Sequence, residues 1–121
     1  MRIIDHVSKA YRIEQTMLNK LDRDQDYEIF VEACMLAGTH LLNAILHKYS
    51  VTTEAADLLH SDKPQLETAV KPELQSLFAA MKYIEDLRRY LRGARAWDIE
   101  DGNKCIGSYQ QVKGVAKKAL G

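Results

Sequence analysis

The chain has 121 residues, 46% hydrophobic and 28% charged, which is one domain's worth of sequence with enough apolar material for its own core. Its 17 acids balance 17 bases, which excludes a protein that coats nucleic acid by bulk attraction, since such domains are strongly basic. Cys34 and Cys105 sit among apolar residues with no CxxC pair and no zinc-finger spacing, so both are expected as buried free thiols of a reducing compartment.

The first helix is expected over residues 3–21. The stretch MRIIDHVSKAYRIE that opens it is charged throughout and lacks the apolar run of a signal peptide, so a cytoplasmic location is expected. Its apolar stripe reads Ile4, Val7, Tyr11, Leu18 and Leu21, with Ala10 and Met17 beside it and Glu14 falling inside it. The polar run Asp22, Arg23, Asp24, Gln25, Asp26 makes the turn, and its acids suit the start of a following helix.

The second helix, over 26–48, is the most apolar. One stripe is Tyr27, Phe30, Val31, Cys34, Ala37, Leu41, Ala44 and Ile45; another is Met35, Leu42, Leu46 and Tyr49. A helix apolar on most of its circumference belongs at the centre of a domain, and Ala37 and Gly38 would let another backbone come close. The most apolar segment, 35–46, is too short to span a membrane, so no membrane association is expected. Thr52 and Thr53 then offer an N-cap for a short helix over 54–59. A third long helix starts at Pro64 or, more cleanly, at Pro72, where proline loses no hydrogen bond. It carries Leu74, Leu77, Phe78, Met81, Ile84 and Leu91, and breaks near Gly93. The last helix is marked by Ile106, Tyr109, Val112, Ala116 and Leu120, with Asp98, Glu100 and Asp101 as caps. The expected fold is therefore all-α: one domain over 1–121, an up-and-down bundle of four long helices plus one short one.

Two groups of residues bear chemistry. Arg88, Arg92 and Arg95 recur at i, i+4 and i+7, with Arg89 and Trp97 close by. Arginine forks bind phosphate and aromatics stack on bases, so this is the candidate site for an anion, RNA or a partner protein. Against it stands a solvated face paired to Glu85 and favoured by the helix C-terminus. His40, Asn43 and His47 form a polar stripe on the apolar second helix. They are read as core or interface polar contacts, or as the centre of a metal-dependent or acid/base enzyme drawing on Glu14 and Glu32. The chain lacks the paired Glu-x-x-His of di-iron bundles, GxSxG, P-loop, GxGxxG and HExxH, so no metal, cofactor or catalytic residue is assigned.

The second helix, Tyr27-Glu28-Ile29-Phe30-Val31-Glu32-Ala33-Cys34 onward to Leu41-Leu42-Asn43-Ala44-Ile45-Leu46-His47, resembles the central helices of HEPN-like proteins. So does the block Ile84-Glu85-Asp86-Leu87-Arg88-Arg89-Tyr90-Leu91-Arg92-Gly93, followed by Tyr109 to Leu120. The resemblance covers most of the chain and implies a four-to-five-helix bundle that dimerises through a helical face. Active members of that family are metal-independent ribonucleases using an arginine and a histidine with four to six residues between them. No arginine of this chain has a histidine at that spacing after it, so that motif is absent and no ribonuclease residue carries over. The expectation is a non-catalytic homodimer binding RNA, a nucleotide or a partner protein, or else a purely structural subunit of a larger complex.

Overall fold

A computed structural model describes residues 1–58, 72–92 and 96–121. The four long helices are α1 (Ile3–Lys20), α2 (Tyr27–Lys48), α3 (Pro72–Arg92) and α4 (Ile99–Leu120), and no strand occurs among the described residues. The third helix begins at Pro72, the cleaner of its two expected starts. The expected short helix does not form over 54–58. That segment is a turn, with the Ala56 amide donating to the Thr53 carbonyl, leading into extended chain; Leu59 lies outside the described residues. Thr52 spends its hydroxyl on the His47 ring at 2.8 Å instead of capping a helix. A threonine hydroxyl offered a closer partner gives up the capping role.

The polar turn between α1 and α2 is tied by one side chain. The Asp22 carboxylate accepts from the amides of Asp24 and Gln25, both at 2.9 Å, and these two bonds hold its pKa below the usual carboxylate range. At the other end, Asp98 and Asp101 form a capping box on α4: the Glu100 amide donates to Asp98 at 2.9 Å, and the Asp98 amide donates to Asp101 at 3.2 Å.

Helix α2 is central, packing on α1, α3 and α4, while α3 also packs on α4. Its length and composition alone would let it cross a membrane, but 67% of its most apolar window is buried inside the bundle, as expected of a core helix. The space left by Gly38 is filled by a side chain and not by the neighbouring backbone that the sequence invites: a Cβ there would lie 2.6 Å from the Met81 sulfur. Gly38→Leu is expected to lower stability by about 1–3 kcal/mol through overpacking, read as a reduced urea midpoint with unchanged slope.

Helix α1 is rolled from its expected stripe towards one flank. Ala10 and Met17, beside that stripe, and Glu14, within it, are buried together with His6, whereas Ile4 and Leu18 are 65% and 57% exposed. The helix is turned so that two polar side chains face inward, because each finds a partner there. Glu14 accepts from the Tyr109 hydroxyl at 2.8 Å and pairs with Lys113 at 2.7 Å. Burial and this carboxylate together push the Tyr109 hydroxyl pKa upward. Cys34 and Cys105 are buried thiols, as expected. The Cys34 pKa is raised by its hydrogen bond with Cys105 and by burial, which keeps it protonated and unreactive.

Candidate functional site

At one end of the α1–α2 pair, three histidines and one carboxylate converge. His6 lies in the second turn of α1, and His40 and His47 lie two turns apart on the facing side of α2. Helix α2 ends at Tyr49, whose amide bonds the Ile45 carbonyl at 3.0 Å. Ser50 then takes a left-handed conformation with φ of 57°, and the Val51 amide returns to the Leu46 carbonyl at 2.9 Å. This reversal sends the chain back along α2 and sets Thr52 beside His47.

Asn43 holds the returning strand of chain. Its carboxamide oxygen accepts from the Leu58 amide at 2.7 Å, and its nitrogen donates to the Leu58 carbonyl at 2.9 Å and to the Thr39 carbonyl at 3.1 Å. Both backbone groups of Leu58 are thus satisfied by one side chain, and the residue before it, Asp57, is delivered to the histidines. Asp57 Oδ1 lies 2.8 Å from His6 Nε2 and 2.8 Å from His47 Nε2. Asp57 Oδ2 pairs with the Met1 amine at 3.1 Å. Behind the rings, His6 Nδ1 lies 3.0 Å from His40 Nδ1, and His47 Nδ1 lies 2.8 Å from the Thr52 hydroxyl. The His6 ring is tilted against both other imidazoles, with centroids 5.2 and 5.3 Å away.

The electrostatics fix the roles. Burial alone would raise the Asp57 pKa, but hydrogen bonds from His47, His6 and the Met1 amine outweigh it and hold the carboxyl at about 2. Asp57 is therefore ionised and accepts from both Nε2–H groups. Burial lowers the His6 pKa, only partly offset by Asp57; burial also lowers that of His40, helped by His6 and Lys9. A histidine whose folded pKa is depressed stabilises the fold fully above its unfolded value, near 6.5, and loses that contribution as the pH falls towards the folded value. Stability is therefore expected to decline from about pH 6.5 downward as the unfolded chain takes protons first. Asp57, by contrast, keeps its contribution until the pH falls below about 3.8 and loses it progressively towards about 2. Urea midpoints at pH 8 and pH 5 check this, and an equal midpoint at both would contradict it.

His40, Asn43 and His47 thus belong to one network, but they play different parts in it. Asn43 clamps the chain, His47 meets the carboxylate, and His40 stands behind His6. The acids Glu14 and Glu32 are not part of it: Glu14 bonds Tyr109, and Glu32 accepts from Arg88 at 2.5 Å. The residues that complete the cluster, His6 and Asp57, were not singled out as site residues by the sequence. The only signal for His6 was a histidine on the inner face of α1, one position away from the apolar stripe.

Of the arginine group, the side chains of Arg88 and Arg89 lie among the described residues. Arg88 is drawn across to Glu32, and Arg89 is exposed. The side chain of Arg92 and the whole of Arg95 lie outside the described residues. Trp97 stacks on Tyr27 with centroids 4.9 Å apart and an interplanar angle of 13°, and its indole N–H donates to Asp24 at 3.2 Å. It packs over Gly102, where a Cβ would lie 3.0 Å from Trp97 Cζ2. The tryptophan fastens the start of α4 to the start of α2.

Compared with known proteins, the chain matches no family model, no curated protein and no solved structure.

Proposed function

We propose that this protein is a metal-dependent enzyme that holds one divalent transition-metal ion through His6 Nε2, His47 Nε2 and Asp57 Oδ1. The observation that carries the reading is the convergence of these donors, two of them buried, within 4.8 Å of one another. Neighbouring ligands around an ion at about 2.0–2.1 Å stand roughly 3.0–3.4 Å apart, so the 2.8 Å spacings need only a small opening when an ion replaces the two protons. Each metal-facing ring also has a partner for its other nitrogen, His40 for His6 and Thr52 for His47, the arrangement that orients ligating imidazoles. Two imidazoles and one carboxylate suit zinc, iron, cobalt or nickel over calcium or magnesium. Three protein donors leave a position for water, whose pKa the ion would lower into the range of a nucleophile.

The test is metal retention by the full chain. After incubation with zinc or cobalt(II) and extensive dialysis, one ion per chain is expected by elemental analysis, with a cobalt(II) visible spectrum indicating nitrogen and oxygen donors. Retention no higher than that of a protein without such a cluster overturns the reading.

The expected homodimeric binding module has one specific observation in its favour. Ile4 is 65% exposed and lines an apolar groove with Ile3, Val7, Tyr11 and Leu120, on the face of α1 that the helix turns away from the core. Self-association through this groove predicts a dimeric mass in sedimentation that Ile4→Glu reduces to a monomer; a monomeric wild-type chain removes this reading.

A further inference from the structure

Beside the histidine cluster, α1 and α2 leave an open cleft of about 400 Å³ lined by Lys9, Arg12, Ile13, Thr16, Leu36 and His40. Its polar walls are all donors or potential donors: an ammonium, a guanidinium, a hydroxyl and an imidazole. Among the described residues, no carboxylate lines it. Lys9, Arg12 and Thr16 recur at i, i+3 and i+7, so one face of α1 presents all three. The Thr16 hydroxyl makes only a long 3.4 Å bond to the Arg12 carbonyl, which it can exchange for a ligand. Across the cleft, His40 Nδ1 is committed to His6, so Nε2 is the atom His40 has to offer.

We propose that this cleft binds a small phosphoryl-bearing anion, and that an ion held by His6, His47 and Asp57 tightens that binding through His40. The anion site stands on the cleft itself; the coupling rests on the metal reading above. Four donors around one group exceed what two carboxylate oxygens use well, and a forked guanidinium with an ammonium suits a phosphoryl group.

The coupling follows from hydrogen-bond polarity. Without metal, His6 donates from Nε2 to Asp57, so its Nδ1 must accept, and His40 must donate from Nδ1. Neutral His40 then presents a bare lone pair on Nε2 to the cleft, which an anion meets unfavourably. With metal on His6 Nε2, the His6 proton sits on Nδ1 and donates to His40 Nδ1. His40 now carries its proton on Nε2 and presents an N–H donor. Each ring holds one proton before and after, so the pair neither gains nor loses charge; only the direction of the 3.0 Å bond reverses. Linkage is reciprocal, so phosphate in the cleft must also tighten the metal by the same factor.

Calorimetric titration of inorganic phosphate into the full chain, metal-free and cobalt-loaded, tests this, with acetate titrated in parallel. Phosphate is expected to bind the loaded chain about tenfold more tightly, in keeping with one added charge-assisted hydrogen bond. Lys9→Ala with Arg12→Ala should weaken phosphate at least tenfold in both forms. His40→Phe, at saturating cobalt, should abolish the difference between them. Phosphate affinity that survives the Lys9 and Arg12 changes overturns the anion site and indicates direct coordination to the metal. Equal affinity with and without cobalt overturns the coupling, and acetate binding as tightly as phosphate overturns the phosphoryl assignment. If no cobalt binds, the metal reading and the coupling both fail. The anion site then stands or falls on whether the metal-free wild type binds phosphate and the double variant does not.

Discussion

Asp57→Asn is expected to lower metal affinity by more than about 100-fold while leaving the helical circular dichroism unchanged. The bound of about 10–100-fold is what removing an outer hydrogen-bond partner of a metal ligand costs, and Asp57 is placed as a ligand itself. Asparagine keeps the size and one oxygen but gives up the charge, and its amide nitrogen has no lone pair for an ion. His47→Gln should have a similar effect, because Gln lacks the imidazole nitrogen that stands 2.8 Å from Asp57 Oδ1. Thr52→Val is the graded control: it removes only the hydroxyl behind His47, so a loss of about tenfold is expected. Zinc competition against a chromophoric chelator reads all three. Wild-type affinity in Asp57→Asn would show that any bound ion sits elsewhere.

Asn43→Ala is expected to cost about 1–3 kcal/mol and to weaken the metal site at the same time. Its carboxamide satisfies both the amide and the carbonyl of Leu58, and alanine leaves both without that partner. Water reaches this partly exposed loop, which keeps the loss well below that of two orphaned groups in a core. The freed segment carries Asp57, so its carboxylate no longer arrives in a fixed position and affinity falls with it. Asn43→Asp separates the two halves of the clamp: the acceptor for the Leu58 amide remains while the donor to the Leu58 carbonyl is gone. Because a carboxylate oxygen then faces the Leu58 and Thr39 carbonyls at a buried position, a loss of urea midpoint at least as large as that of Asn43→Ala is expected, together with weaker metal binding. A stability loss with unchanged metal affinity would mean that Asp57 is held by the histidines alone.

The four long helices are legible in the amino-acid pattern, because each carries an apolar repeat at helical spacing with an identifiable start or stop. Pro72, the acids before α4 and the polar run 22–26 fix the boundaries through local backbone chemistry. The same pattern puts α2 at the centre, since a helix apolar on most sides can be satisfied only by several neighbours. Which way α1 turns depends on long-range packing. Apolar periodicity favours the Ile4–Leu18 face, but Glu14 gains Tyr109 and Lys113, and His6 gains Asp57 and His40, only if the helix rolls by about a quarter turn so that the adjacent His6–Met17 face points inward. Those partners lie 34 to 99 residues away along the chain, and no local pattern announces them. The histidine–aspartate cluster was hidden for the same reason. His40 and His47 were visible as polar residues on an apolar helix, but Asp57 reaches them only because Ser50 reverses the chain and Asn43 grips Leu58. Side-chain hydrogen bonds across the bundle, not periodicity, build the site.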